Sequence, residues 1–442
     1  MPNVLITTNC NQSCNFCFAK EKMQDKAHQN MSLDNVQKVI SFLRKSNDTN
    51  FRLMGGEPTI HPNFREILAI ALEEGMHVDL LSNGTWPSEY NEMFARISPS
   101  NLSFLLNISP PDQYPPDGWK RIENNLASIG GRKGVSLSFN IFDRNPKFEY
   151  IFDLTKRYQI HNVRLSFSLP VLGINNERLD LEDYSAMGDF IVKFTRQGED
   201  IGVDVRLDNA VPLCAFSYEQ IGELIMKGAL DLNRNARCKP VIDIGPDLTV
   251  WCCFCLSKLS NRNLNEFENT EEIQSYYQQI LNFFQGNIFP LDDCYSCKYR
   301  TIWGCQGGCV TFSVEKYLSG CKTSSQKISS DNLPDEDAIP ILANGVSIRK
   351  YEIPRETYVL KNANSGEIEI GTALFPLITL LDGRHTIQDI VEVLLQSNHQ
   401  KESDSVLDNF ERQIFEEGYK KLLSGFINEN LLSIKPIAID SI

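Results

Sequence analysis

Three cysteines fall within eight positions near the amino terminus, where Cys10, Cys14 and Cys17 form C-x3-C-x2-C. Thiolates are soft ligands suited to iron–sulfur clusters or zinc. A cubane of four irons and four sulfides is ordinarily held by four cysteines, so three leave one iron open to another ligand. No fourth Cys or His stands beside them to close a tetrahedral zinc site. A second group comprises Cys238, then Cys252, Cys253 and Cys255, then Cys294, Cys297, Cys305, Cys309 and Cys321. Its specific part, CYSCKYRTIWGCQGGC, reads C-x2-C-x7-C-x3-C, with glycines that let a chain wrap a compact inorganic core. Zinc, which also takes C-x2-C pairs, is the alternative for this region.

Polar residues gather where apolar runs stop. Gly55-Gly56-Glu57-Pro58 follows NFRLM. Glycine allows close backbone approach and unusual dihedrals, and Glu57 offers an acceptor for an ammonium. Ser82 and Asn83 follow HVDLL, and Asn107 and Ser109 close LSFLLNIS. His61 in TIHPNF reads as the start of a helix rather than a catalytic group.

The elements that must hold these residues alternate between apolar runs and stretches of helical period. VLITT (Val4 to Thr8) reads as a buried strand leading into the cysteine loop. Val36, Val39, Ile40 and Leu43 share a helix face opened by Ser32, and Phe64, Ile67, Leu68, Ala71 and Leu72 share another closed by Gly75. A third helix carries Trp119, Ile122, Leu126 and Ile129 between the strands LSFLLNIS and VSLSFNIF, and NVRLSFSL is the sixth strand. Six β/α units predict an α/β fold, a partial (β/α)6 TIM-type barrel with functional loops at the carboxyl ends of its strands. An acidic helix near 180–199 and the strand GVDVRL then lead to the Cys-rich region.

The 442 residues are enough for two or three domains, and 42% hydrophobic with 23% charged is the balance of a folded protein. A net charge of −14 argues against a nucleic acid or an anionic membrane as main partner. Neither a targeting segment nor an apolar run long enough to span a membrane is evident, so the expected location is cytoplasmic. Thirteen cysteines in a reducing compartment read as metal ligands or redox centres rather than disulfides. Ser324 to Pro340 reads as a linker. Beyond it lie short strands and amphipathic helices, with Leu377, Leu380 and Leu381, then Ile387, Ile390, Val391 and Leu394, as buried positions.

Cys10, Cys14, Phe16 and Cys17 resemble the C-x3-C-x-aromatic-C signature of the radical S-adenosylmethionine (SAM) enzymes. That resemblance implies a 4Fe-4S cluster whose open iron is chelated by SAM, and reductive cleavage of SAM to a 5′-deoxyadenosyl radical that abstracts a substrate hydrogen. Gly55, Gly56, Glu57 and Pro58 resemble the family's GGE motif, which holds the amino group of SAM's methionine. Ser82, Asn83, Asn107 and Ser109 match positions that hold its carboxylate and ribose, although many relatives are acidic where Ser109 aligns.

The second cysteine group resembles the SPASM extension of enzymes that modify peptides and proteins, which carries two further 4Fe-4S clusters. PDLTVWCC aligns with its P-D-G-x-V-x-x-C hairpin and selects Cys253, with Leu248 in place of the usual glycine and a spacing of seven where five is common. One cluster is then implied on Cys294, Cys297, Cys305 and Cys321. The other falls on Cys238, Cys253 and Cys309, completed by Cys214 or left open for substrate, with Cys252 and Cys255 able to replace Cys253. LLDGRHTIQDIVEVL resembles the winged-helix peptide chaperones of pyrroloquinoline-quinone biosynthesis, which implies capture of a leader peptide as an added strand. No basic stripe there suits DNA, and a packing or dimerisation unit is the bland alternative.

These resemblances imply three domains: a radical SAM core at 1–205, a small Cys-rich iron–sulfur domain at 206–330, and an α+β winged-helix domain at 341–442. The function implied is oxidative modification of a ribosomally made precursor peptide, by crosslink, thioether or dehydrogenation, with SAM and three 4Fe-4S clusters as cofactors and flavodoxin or ferredoxin as electron donor. The sequence selects no catalytic acid or base. The rivals are an anaerobic sulfatase-type maturase, a small-molecule SPASM dehydrogenase, and a non-enzymatic zinc or iron–sulfur scaffold.

Overall fold

A computed structural model describes residues 2–20, 29–323, 340–342, 346–351, 357–362, 367–371, 386–390 and 432–434. The chain forms two compact units, Met1–Gly320 and Cys321–Ile442.

The first unit is a mixed α/β fold built on a ten-stranded sheet. Its strands are β1 (Asn3–Leu5), β2 (Asn50–Met54), β3 (His77–Ser82), β4 (Leu102–Asn107), β5 (Val135–Ile141), β6 (Asn162–Phe167), β7 (Asp204–Leu207), β8 (Ile242–Ile244), β9 (Thr249–Cys252) and β10 (Asn261–Asn263). The order is β10-β9-β8-β1-β2-β3-β4-β5-β6-β7. β1 to β7 pair in parallel in sequence, as the six expected units and the following strand require. β8 adds an eighth parallel strand on the other side of β1, and β9 and β10 complete that edge antiparallel. Residues 206–320 therefore share the first unit with the strands before them.

The helices form where the apolar period falls. Ser32 caps Leu33–Lys45 by accepting from the Asn35 N–H at 3.2 Å, and that helix buries Val36, Val39, Ile40, Phe42 and Leu43. Phe64–Glu73 buries Phe64, Ile67, Leu68 and Ala71. Pro116–Ile129 buries Ile122, Leu126 and Ile129, and also Asn125, whose amide donates to the carbonyls of Gly84 and Trp86, each at 2.9 Å. His61 precedes its helix, with Asn63 at the cap position. Its buried ring accepts from the Asn63 N–H at Nδ1 (3.0 Å), which leaves Nε2–H to donate to the Met31 carbonyl (3.1 Å). Burial lowers its pKa.

In the second unit β11 (Pro340–Leu342) pairs antiparallel with β15 (Leu432–Ile434), and β12 (Val346–Tyr351), β13 (Thr357–Asn362) and β14 (Glu367–Gly371) form an antiparallel sheet. Ile387 and Ile390 are buried, and Thr386 and Asp389 exchange hydrogen bonds at the start of that turn of helix. Leu377, Leu380, Leu381, Val391, Leu394 and the linker before Pro340 lie outside the described residues.

Candidate active site

The cysteine loop leaves β1 and is fixed by the turn after β2. The Gly56 N–H donates to the Thr7 carbonyl at 2.9 Å and the Glu57 N–H to that of Asn9 at 2.8 Å. A Cβ on Gly56 would lie 2.0 Å from the Asn9 oxygen, and one on Gly55 2.8 Å from that of Thr7. Close approach demands glycine here, and neither residue has a positive φ.

The Glu57 carboxylate, read from the motif as facing an ammonium, is turned inward and fully buried. Its Oε1 accepts from Thr59 Oγ1 (2.6 Å), the Thr59 N–H (3.2 Å) and Ser82 Oγ (2.9 Å), and Oε2 accepts from the Asn83 N–H (2.8 Å). Burial pushes its pKa up against those bonds. It thus ties the turn after β2 to the end of β3. Pro58 is buried at the start of a short 3-10 turn, Pro58–Ile60.

Further bonds hold the loop over the strand ends. Asn11 Nδ2 donates to Thr85 Oγ1 and its Oδ1 accepts from Asn83 Nδ2, both at 2.9 Å. Ser168 Oγ donates to the Phe16 carbonyl at 3.2 Å, and the Phe16 ring stacks on Phe142 with centroids 4.8 Å apart.

Cys10, Cys14 and Cys17 line a cavity of about 760 Å3 together with Phe16, Gly55, Gly56, Ser82, Asn83, Asn107 and Ser109. Glu57 and Pro58 do not line it. Burial raises all three thiols, Cys10 to about 12 and Cys17 to about 11, so a metal must displace protons to bind them. The same cavity reaches Cys238, Cys253, Cys255 and Cys309.

Its lining also holds charged residues that the motifs do not mark: Arg52, Arg164, Asp208, Arg234, Arg237, Lys239 and Asp243. The signal is the alternation of polar and apolar positions in NFRLM and NVRLSF. Arg164 meets Asp208 at 3.5 Å. Arg52 acts on Asp243 as an opposite charge, while no salt bridge within 4 Å is found for Arg234, Arg237 or Lys239 among the described residues. Asp243 accepts from Asn3 Nδ2 at 2.6 Å, and desolvation pushes its carboxyl up to about 8.

The other cysteines fall into two sets. Cys238 donates to Cys309, which drops to about 7, while Cys253 and Cys255 lie close to that pair. Cys253 sits at φ +54 and Cys252 donates to its sulfur at 3.9 Å. Cys214 stands with Cys294, Cys297 and Cys305, apart from the Cys238 set that it was open to complete. The Cys321 side chain lies outside the described residues. No three His, Cys, Asp or Glu side chains among the described residues converge on one ion; Cys10, Cys14, Cys17, Cys238, Cys253, Cys255 and Cys309 border the cavity instead. Three soft thiols facing such a space suit a cubane with one free corner.

Residues 4–184 match the family model described as the radical SAM superfamily. The chain is 30% identical over 87 residues to the 7,8-dihydro-6-hydroxymethylpterin dimethyltransferase of Methanocaldococcus jannaschii, covering 19% of this chain and 17% of that protein. It is 26% identical to the Fe-coproporphyrin III synthase of Methanosarcina barkeri over 43% of this chain and 50% of that protein. It thus spans half or less of the length of these curated relatives. Among solved structures it resembles Streptococcus suis SuiB bound to S-adenosylmethionine, with a TM-score of 0.51, 15% identity, and coverage of 71% of this chain and 73% of that one. The structure of SuiB bound to precursor peptide SuiA gives a TM-score of 0.50 at 15% identity, over 71% of this chain and 72% of that one. At such identity the likeness is one of fold. The match over residues 4–184 falls on a cysteine loop held by a glycine turn over parallel strand ends, so this region of the chain is similar to the radical SAM superfamily.

Proposed function

We propose that this enzyme oxidatively modifies a ribosomally made precursor peptide. The observation that carries the reading is one continuous cavity bordered by Cys10, Cys14 and Cys17 and by Cys238, Cys253, Cys255 and Cys309. When bound, the clusters and SAM would supply the 5′-deoxyadenosyl radical at the first thiol set and an outlet for the electron released by the substrate radical at the second. Cys10, Cys14 and Cys17 would hold the SAM-binding cluster, and the backbone of Gly55 and Gly56 with Ser82, Asn83 and Asn107 would orient SAM. Phe16 on Phe142 closes the loop side and keeps water from the reacting centre. Glu57 holds Ser82 and the Asn83 backbone in place from behind. The fold likeness to SuiB, and the resemblance of LLDGRHTIQDIVEVL to peptide chaperones, support a peptide substrate.

A second reading, a small anionic substrate, is favoured by Arg52, Arg234, Arg237 and Lys239 in the cavity lining. Anaerobic reconstitution followed by SAM and dithionite tests the shared chemistry. The expected result is release of 5′-deoxyadenosine that disappears when Cys10, Cys14 and Cys17 are changed to Ala; release that persists in that variant refutes it. A mass change in a precursor peptide, obtained with the full chain and lost without residues 341–442, separates the peptide reading from the small-molecule one.

A further inference from the structure

We propose that Cys214 is the fourth thiolate of the auxiliary iron–sulfur site built on Cys294, Cys297 and Cys305, in the place that family resemblance gives to Cys321. This rests on the iron–sulfur reading above and names the ligands of one of its sites.

Cys214 lies on a 3-10 turn, Leu213–Ala215, that is pinned against the Cys294–Cys309 segment. The Leu213 N–H donates to Cys305 Sγ at 3.5 Å, and the Gly307 N–H reaches the same sulfur at 3.5 Å. Such N–H groups aimed at sulfur are what a cluster-bound thiolate uses. A Cβ on Gly308 would lie 3.0 Å from Pro212, so this glycine lets the two segments approach. On the other flank Tyr299 donates to the Phe216 carbonyl at 3.2 Å, and Tyr218 packs its ring against Tyr299 and Trp303 at 5.4 and 5.5 Å. Both sides of Cys214 are therefore anchored to the segment that carries the other three cysteines. Cys238, Cys253, Cys255 and Cys309 form a separate set of four, so neither site needs Cys321.

The test is iron and sulfide content, with Mössbauer spectra, of the anaerobically reconstituted full chain and its Cys214→Ser and Cys321→Ser variants. Three cubanes give about 12 irons for the unaltered chain. Cys214→Ser is expected to fall to about 8, a loss of one third, while Cys321→Ser keeps about 12. A full complement in Cys214→Ser, or a loss of one third in Cys321→Ser, overturns the assignment. The Cys321 arm decides the matter even where Cys214→Ser fails to fold. An unaltered chain that takes up no iron overturns the functional reading itself; one that loads fully while Cys214→Ser does too overturns only the ligand.

Discussion

Glu57→Ala would strip the acceptor from four hydrogen bonds at once, two from Thr59 and one each from Ser82 and Asn83. A buried donor left unpaired costs about 1–3 kcal/mol. Chemical denaturation under anaerobic conditions should show a loss of several kcal/mol for this variant and a smaller one for Glu57→Gln, which keeps an oxygen for three of the donors. His61 predicts a pH effect. Its folded-state pKa is lowered, so the unfolded chain takes up a proton that the folded one refuses. Stability should therefore decline as pH falls below about 6.5, the ordinary value for His. Urea midpoints between pH 7.5 and 5.5 check this, and His61→Gln should flatten the slope. The cysteines were legible because their type and spacing alone define a soft donor set. The inward turn of Glu57 was not, because the bonds from Thr59, Ser82 and Asn83 set it, and these come from two different strand ends.

Gly56 shows how one turn controls the loop beside it. With 2.0 Å between an added Cβ and the Asn9 carbonyl, Gly56→Ala must push the cysteine loop off the turn. On the three-cluster reading proposed above, the expected outcome is a chain that keeps about 8 of about 12 irons but releases no 5′-deoxyadenosine; iron analysis and chromatography of the nucleoside check it. In the hairpin β8–β9, Leu248 has a φ of +67, the conformation a glycine would take freely. Left-handed backbone costs a non-glycine residue roughly 1–2 kcal/mol. Burying a leucine returns about 1.5–3 kcal/mol, and Leu248 is 4% exposed. The two nearly cancel, so Leu248→Gly should cost only about 1 kcal/mol, against about 2–5 kcal/mol for Leu264→Ala in the same core, read from denaturant midpoints. Strand order through β7 followed from alternating periods. The parallel pairing of β8 with β1 did not, since IDI is three residues long and its partner lies some 240 positions away.

At the scale of the molecule, the first unit has its own sheet and core. On the peptide reading proposed above, a chain ended after Thr323 should still bind iron and release 5′-deoxyadenosine while failing to modify a full-length precursor; paired assays of nucleoside and peptide mass would show this. No described helix is long and apolar enough to cross a membrane.

The guanidinium groups of Arg52, Arg234 and Arg237 line the cavity of a protein whose net charge is −14. On the reading of a small anionic substrate, such a guest would be repelled at long range and attracted within the lining. Adding salt weakens the first effect more than the second, because screening acts over about 8 Å at physiological ionic strength and hardly penetrates an enclosed space. Encounter with such a guest should accordingly speed up as salt is raised from low levels, the opposite of what electrostatic attraction at an exposed surface produces.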